Sequence, residues 1–157
     1  MKVLLLADWG KPFYSGLRKK FPANDFVEAY DDADIRREVA DAEVVFGYLS
    51  EEQFRLGKKI RWIQTLGAGM EGLFRRIPEV IETDIVVTNA RGAGAPQIGE
   101  HGVALMMALA RGLNDFWRLK RDRKWDQEHG LSVVQIIAGR TAGIVGFGKS
   151  GREIGWR

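Results

Sequence analysis

The chain has 157 residues, 45% of them hydrophobic and 29% charged, with a net charge of +3. That allows one sizeable core, or a small domain plus part of a second, in a soluble globular protein. The absence of cysteine excludes a disulfide framework and thiolate metal sites and fits a cytoplasmic setting, and so mild a charge does not by itself imply nucleic acid.

Residues 1–8 carry one basic residue and an apolar run too short for a signal peptide, so 3–7 read as a buried first strand. Pro12 suits a first helical turn, and Phe13, Leu17 and Phe21 follow at helical spacing. Residues 25–30 read as a second strand, 33–39 as a helix and 43–48 as a third strand. Ser50 with Gln53 forms a capping box that starts a short helix. Residues 60–66 read as a fourth strand, 69–76 as a helix and 85–88 as a fifth strand. This alternation predicts an open parallel sheet with helices on both faces, which binds ligands at the carboxyl ends of its strands.

Residues 89–96, rich in Gly and ending in Pro96, read as a hinge, with one domain over 1–95 and a second over 96–157. Residues 98–113 carry the longest helical pattern, 114–124 a basic helix and 125–139 an irregular connection. A second βα unit starts at Thr141. The longest apolar stretch, 102–110, is far below membrane-spanning length.

In that unit Gly146, Phe147, Gly148, Lys149, Ser150 and Gly151 spell G-x-G-x-x-G between the apolar Ile144-Val145 and a helix-compatible run. In a dinucleotide-binding turn the first glycine allows the tight bend and the second lets backbone approach a pyrophosphate. The third permits close packing of helix on strand. Residues 143–150 also satisfy the phosphate-loop pattern of nucleoside triphosphatases, but Ile144 and Val145 then fall where that loop must arch. The acidic residue that would hold the ribose belongs about 20 residues past the turn, beyond Arg157.

Four blocks carry a resemblance: residues 60–71 (IRWIQTLGAGME), 87–92 (VTNARG), 99–111, which opens Gly99-Glu100-His101, and 139–148 (GRTAGIVGFG). They resemble the D-isomer-specific 2-hydroxyacid dehydrogenases, whose glyoxylate, hydroxypyruvate and phosphohydroxypyruvate types are NAD(P)-dependent reductases of 2-keto acids. The resemblance implies a flavodoxin-like substrate domain, a Rossmann cofactor domain and a homodimer. It places the backbone amides of Ala68 and Gly69 on the substrate carboxylate, as an anion nest. It places Gly146, Phe147, Gly148, Lys149, Ser150 and Gly151 on the cofactor pyrophosphate. Glu71 stands where the family more often has Asp, Lys149 replaces the usual Arg, and Ser150 a common Ile. The family's catalytic Arg, Glu and His come from a segment after the turn, so no residue of 1–157 is expected to be catalytic. The chain is expected to be an N-terminal part of a longer enzyme, inactive alone. The other reading is a noncatalytic remnant that binds or dimerises through the helices of 98–124. NAD and NADP are not separated by these residues.

Other features have plainer readings. His101 suits a structural contact and His129 a solvated loop. The basic run Arg118, Lys120, Arg121, Arg123, Lys124 reads as a solvated helix face rather than a nucleic-acid site. Two histidines and no cysteine leave no metal-ligand spacing.

Overall fold

A computed structural model describes residues 1–157. The chain divides into two compact units, Met1–Arg91 and Gly92–Arg157. The division falls ahead of the boundary after residue 95 expected from the sequence. The Gly92 carbonyl already accepts the Ala95 N–H, so the Gly-rich segment forms the entry to the following helix.

Unit 1 holds β1 (Lys2–Leu5), α1 (Lys11–Lys20), β2 (Asp25–Glu28), α2 (Asp32–Glu38), β3 (Val44–Phe46), α3 (Glu51–Leu56), β4 (Trp62–Gln64), α4 (Glu71–Arg76) and β5 (Val86–Thr88). All strand pairs are parallel, in the order β2-β1-β3-β4-β5. That is the flavodoxin-like doubly wound order. The central row Val27, Leu4, Val45, Ile63, Val87 is in register across all five strands. Its face packs on Ile35, Val39, Phe54, Leu73 and Ile77 from the α2, α3 and α4 side. The other face buries Val3, Leu5 and Val44 against Tyr14 of α1. Helices cover both faces unequally, and on the α1 side Trp62 and Val86 stay exposed.

Local signals account for the helix ends. Ser50 and Gln53 form the reciprocal capping box, with Gln53 N–H to Ser50 Oγ at 3.2 Å and Ser50 N–H to Gln53 Oε1 at 2.9 Å. Asp31 caps α2 through the Asp34 N–H at 2.8 Å. Helix α1 stops at Lys20, so Phe21 lies past its end and is exposed.

Unit 2 is helical: α5 (Ala95–Ala110), α6 (Leu113–Arg121), α7 (Gln127–Val133) and α8 (Lys149–Trp156). Helix α7 lies inside the connection expected to be irregular. Its signal is Asp126, whose carboxylate accepts the His129 N–H at 2.9 Å as an N-cap. Residues 141–145, expected as a strand, have no ladder partner and are not one, and Val145 is fully exposed. The βα unit is therefore represented by its turn and its helix. Helices α5 and α8 approach closely at Gly99, where an added Cβ would lie 2.6 Å from the Glu153 Cβ. Both apolar core clusters belong to unit 1. In unit 2 the buried residues are Ala95 and four glycines.

Two consequences are measurable. Ile63 is 1% exposed and central, whereas Ile81 is 69% exposed. Ile63→Ala is expected to lower unfolding free energy by about 3 kcal/mol and Ile81→Ala by under about 0.5 kcal/mol, read by urea denaturation. Equal losses would place the core elsewhere.

The second concerns acid. Lys2 Nζ meets Glu38 Oε2 at 2.9 Å and Asp41 Oδ1 at 2.5 Å. Burial alone would lower the Lys2 ammonium, but the two carboxylates outweigh it and hold it above its ordinary value. The Lys2 hydrogen bond holds Glu38 and Asp41 below the usual carboxylate range, with Arg37 assisting at Glu38. Carboxylates depressed in the fold contribute stability above their unfolded values and lose it as pH falls through the folded ones, from about pH 5 downward. Lys2→Met should flatten the fall of the urea midpoint over that window. An unchanged slope would remove the triad from the account.

Candidate functional site

The register of unit 1 brings the ends of β1, β3, β4 and β5 to one edge, where the connecting loops gather. After β4, Thr65 is fully buried and its N–H bonds the Thr88 carbonyl at 2.9 Å. The chain then turns outward. The Gly67 N–H donates to Tyr48 Oη at 2.8 Å, and the Gly67 carbonyl accepts the Ala90 N–H at 2.9 Å. Asn89 Nδ2 donates to the Ala68 carbonyl at 2.7 Å, and Asn89 Oδ1 accepts the Arg91 N–H at 3.2 Å. With Gly67 held by Tyr48 and Ala68 held by Asn89, the N–H groups of Ala68 and Gly69 bond no acceptor in the chain. Both residues are exposed. Adjacent outward N–H groups on a pinned turn can bind an anion.

Two positioning residues, Tyr48 and Asn89, are not evident from the sequence alone. Asn89 at the end of a strand is an ordinary turn signal, and only the fold aims its amide at Ala68. An added Cβ at Gly69 would meet only the Glu71 carboxylate, at 2.4 Å and 2.5 Å, the far end of a side chain that can turn aside. Gly47 has a steric reason, with φ at +135° and a Cβ that would lie 2.7 Å from the Leu6 Cβ. It lets the chain after β3 pass Leu6 and bring Tyr48 to Gly67.

In unit 2 the three motif glycines have separate causes. Gly146 has φ at +88°, which makes the bend. A Cβ at Gly148 would have nothing within 4 Å, so the backbone at the α8 N-cap stands open to an approaching group. A Cβ at Gly151 would lie 2.2 Å from the Gly146 carbonyl oxygen, so the first turn of α8 sits directly on the bend. The first N–H groups of α8 have no partners within the helix and carry its positive dipole end. Phe147 is exposed and its ring lies against Gly155. Lys149 folds toward Gly92, whose added Cβ would be 2.5 Å from the ammonium nitrogen. Its charge thus sits by the entry to α5. Ser150 is half-buried on the first turn of α8. The bare glycine backbone and the positive end of the α8 dipole fit a pyrophosphate.

His101 is exposed on α5. His129, expected in a loop, lies on α7 with Nε2 3.9 Å from Asp115 Oδ1. No three side chains among His, Asp and Glu gather as metal ligands would.

Residues 103–157 match the family model described as "D-isomer specific 2-hydroxyacid dehydrogenase, NAD binding domain". Over 106 residues the chain is 30% identical to the D-3-phosphoglycerate dehydrogenase of Archaeoglobus fulgidus, covering 68% of this chain and 19% of that protein. It is 31% identical over 101 residues to the hydroxypyruvate reductase of Thermotoga maritima, covering 64% and 32%. A solved D-isomer specific 2-hydroxyacid dehydrogenase family protein from Aeromonas salmonicida superposes with TM-score 0.75 at 24% identity, over 98% of this chain and 48% of that one. The chain thus spans about half the length of that structure and a third or less of those two relatives. The glycine turn and these matches together support the D-isomer-specific 2-hydroxyacid dehydrogenase family for this chain.

Proposed function

We propose that this chain supplies the carboxylate-binding loop and the pyrophosphate turn of an NAD(P)-dependent oxidoreductase that interconverts 2-keto acids and D-2-hydroxy acids. The observation that carries the reading is the G-x-G-x-x-G turn, in which the open backbone of Gly148 faces outward at the N-terminus of α8. Ala68 and Gly69 would hold the substrate carboxylate through their unpaired N–H groups. Gly146, Phe147, Gly148, Lys149, Ser150 and Gly151 would hold the pyrophosphate of NAD or NADP, the helix dipole assisting. When bound, the reduced nicotinamide supplies a hydride to the keto carbon, while a proton completes the hydroxyl.

No residue of 1–157 is assigned a catalytic proton transfer, because the catalytic Arg, Glu and His of the family come from a segment after the glycine turn. The residues 1–157 alone are therefore read as inactive. The functional assembly is read as a cytoplasmic homodimer acting on a small acid, with no nucleic acid and no membrane partner. No helix is long and apolar enough to cross a membrane. A noncatalytic dimerising module is the second reading, favoured by the apolar side chains that unit 2 exposes, Phe116, Trp117, Trp125 and Leu131 among them.

The test is a titration of the labelled 157-residue chain with NAD+ by heteronuclear NMR, alongside an assay with glyoxylate and NADH. Millimolar NAD+ should shift the amides of Gly148, Lys149, Ser150 and Gly151. Gly148→Val should remove those shifts by placing branched carbon in the open cradle. No glyoxylate turnover is expected. Shifts confined to other surfaces would reject the pyrophosphate turn, and turnover would show that 1–157 contains its own proton donor.

A further inference from the structure

The carboxyl edge of unit 1 carries more than the two free N–H groups. On the same edge lies a run of aromatic rings from the ends of β1 and β3. Trp9, in the loop after β1, meets Phe46, the last residue of β3, edge to face at 5.4 Å and 76°, and Phe13 of α1 at 5.0 Å in a tilted contact. Two residues beyond Phe46, Tyr48 takes the Gly67 N–H, and Gly67 directly precedes Ala68. Adjacent strands are about 4.8 Å apart, so the strip from the end of β1 to the end of β4 spans roughly 10 Å.

These rings stand in place. Gly10, with φ at +82°, donates its N–H to Asp8 Oδ1 at 2.8 Å, and Tyr14 Oη donates to the Ala7 carbonyl. The Trp9 N–H reaches the same Tyr14 oxygen at 3.3 Å. Yet Trp9 remains 51% exposed and Tyr48 40% exposed. A large ring anchored at its backbone and open on one side is a surface that gains by covering.

Charge on this strip points the same way. The loops 6–10, 47–50 and 65–70 contain no Lys or Arg, and Asp8 is their sole charge. Lys11, directly past Gly10, acts on the Glu28 carboxylate at the end of β2, and Glu71 lies against Gly69 itself. Arg91 lies past β5, on the far side of β3 and β4 from Trp9. A phosphate or second carboxylate carried toward the rings would meet Asp8 with no cation on these loops. Desolvating such an anion without a partner is costly.

We propose that this strip selects 2-keto acids with an uncharged apolar or aromatic side chain and rejects phosphorylated or dicarboxylate ones, with Trp9 and Tyr48 as the attracting groups and Asp8 as the repelling one. The inference rests on the reading of Ala68 and Gly69 as the carboxylate site. It sets this chain apart from the phosphoglycerate type that one relative's name states.

The labelled chain would be titrated with pyruvate, phenylpyruvate and 3-phosphoglycerate, following the Ala68 and Gly69 amides and the Trp9 indole N–H. Phenylpyruvate should bind about tenfold more tightly than pyruvate, as an aromatic contact allows, and should shift the Trp9 indole. 3-Phosphoglycerate should bind more weakly than pyruvate. Trp9→Ala should remove the phenylpyruvate advantage and leave the Ala68 and Gly69 shifts with pyruvate, and Asp8→Asn should raise 3-phosphoglycerate binding. If pyruvate shifts Ala68 and Gly69 while phenylpyruvate shows no advantage, or 3-phosphoglycerate binds as well, this selectivity is wrong and the carboxylate site stands. If no carboxylate shifts those amides, the carboxylate site fails and the selectivity fails with it.

Discussion

The register of the apolar row Val27, Leu4, Val45, Ile63 and Val87 governs unit 1. In a parallel sheet a slip of one residue would turn every one of these side chains to the opposite face. Burial against α2, α3 and α4 makes that slip costly, because Leu4, Val45 and Ile63 are at most 1% exposed. The same register fixes where each strand stops. It is why loops more than 80 residues apart in sequence, after β1 and after β5, open on a common edge.

At that edge hydrogen bonding is directed away from two amides. Tyr48 satisfies Gly67, Asn89 satisfies the Ala68 carbonyl, and Ala90 satisfies the Gly67 carbonyl. What is left unpaired is a pair of adjacent donors on a turn with little freedom to move. Preorganisation of this kind avoids an ordering cost when an anion arrives. The rings beside the turn and the sparse charge of its loops bear on which anion it suits.

Unit 2 is organised by glycine more than by a core. Gly99 lets α5 and α8 touch, Gly151 seats α8 on its turn, and Gly130 admits the Phe116 ring, whose Cε1 lies 2.7 Å from where a Cβ would stand. Backbone therefore approaches backbone or ring where other proteins interlock side chains. The large apolar residues face outward instead, Trp125 and Leu131 among them. Burial of apolar area is the main source of folding free energy, so unit 1 holds most of the stability of these 157 residues.

Much of this was legible from residue order. Strand and helix alternation followed from periodicity, the α3 start from Ser50 and Gln53, and the dinucleotide-type turn from three glycines at fixed spacing. These are local signals, set by one residue's neighbours along the chain. The Asp126 cap of α7 was equally local and was masked by the irregular pattern around it. The strand expected over 141–145 shows the opposite limit, since a strand exists only with a partner to complete its ladder. The orientation of Lys149 toward Gly92, the holding of Gly67 by Tyr48, and the meeting of Trp9 with Phe46 all join residues distant in sequence. Sequence alone marked the five strands of unit 1 and the glycine that bends the turn at 146. Only the tertiary structure decided which amides stay unpaired and which rings stand beside them, because both depend on contacts that exist only once β1, β3, β4 and β5 lie side by side.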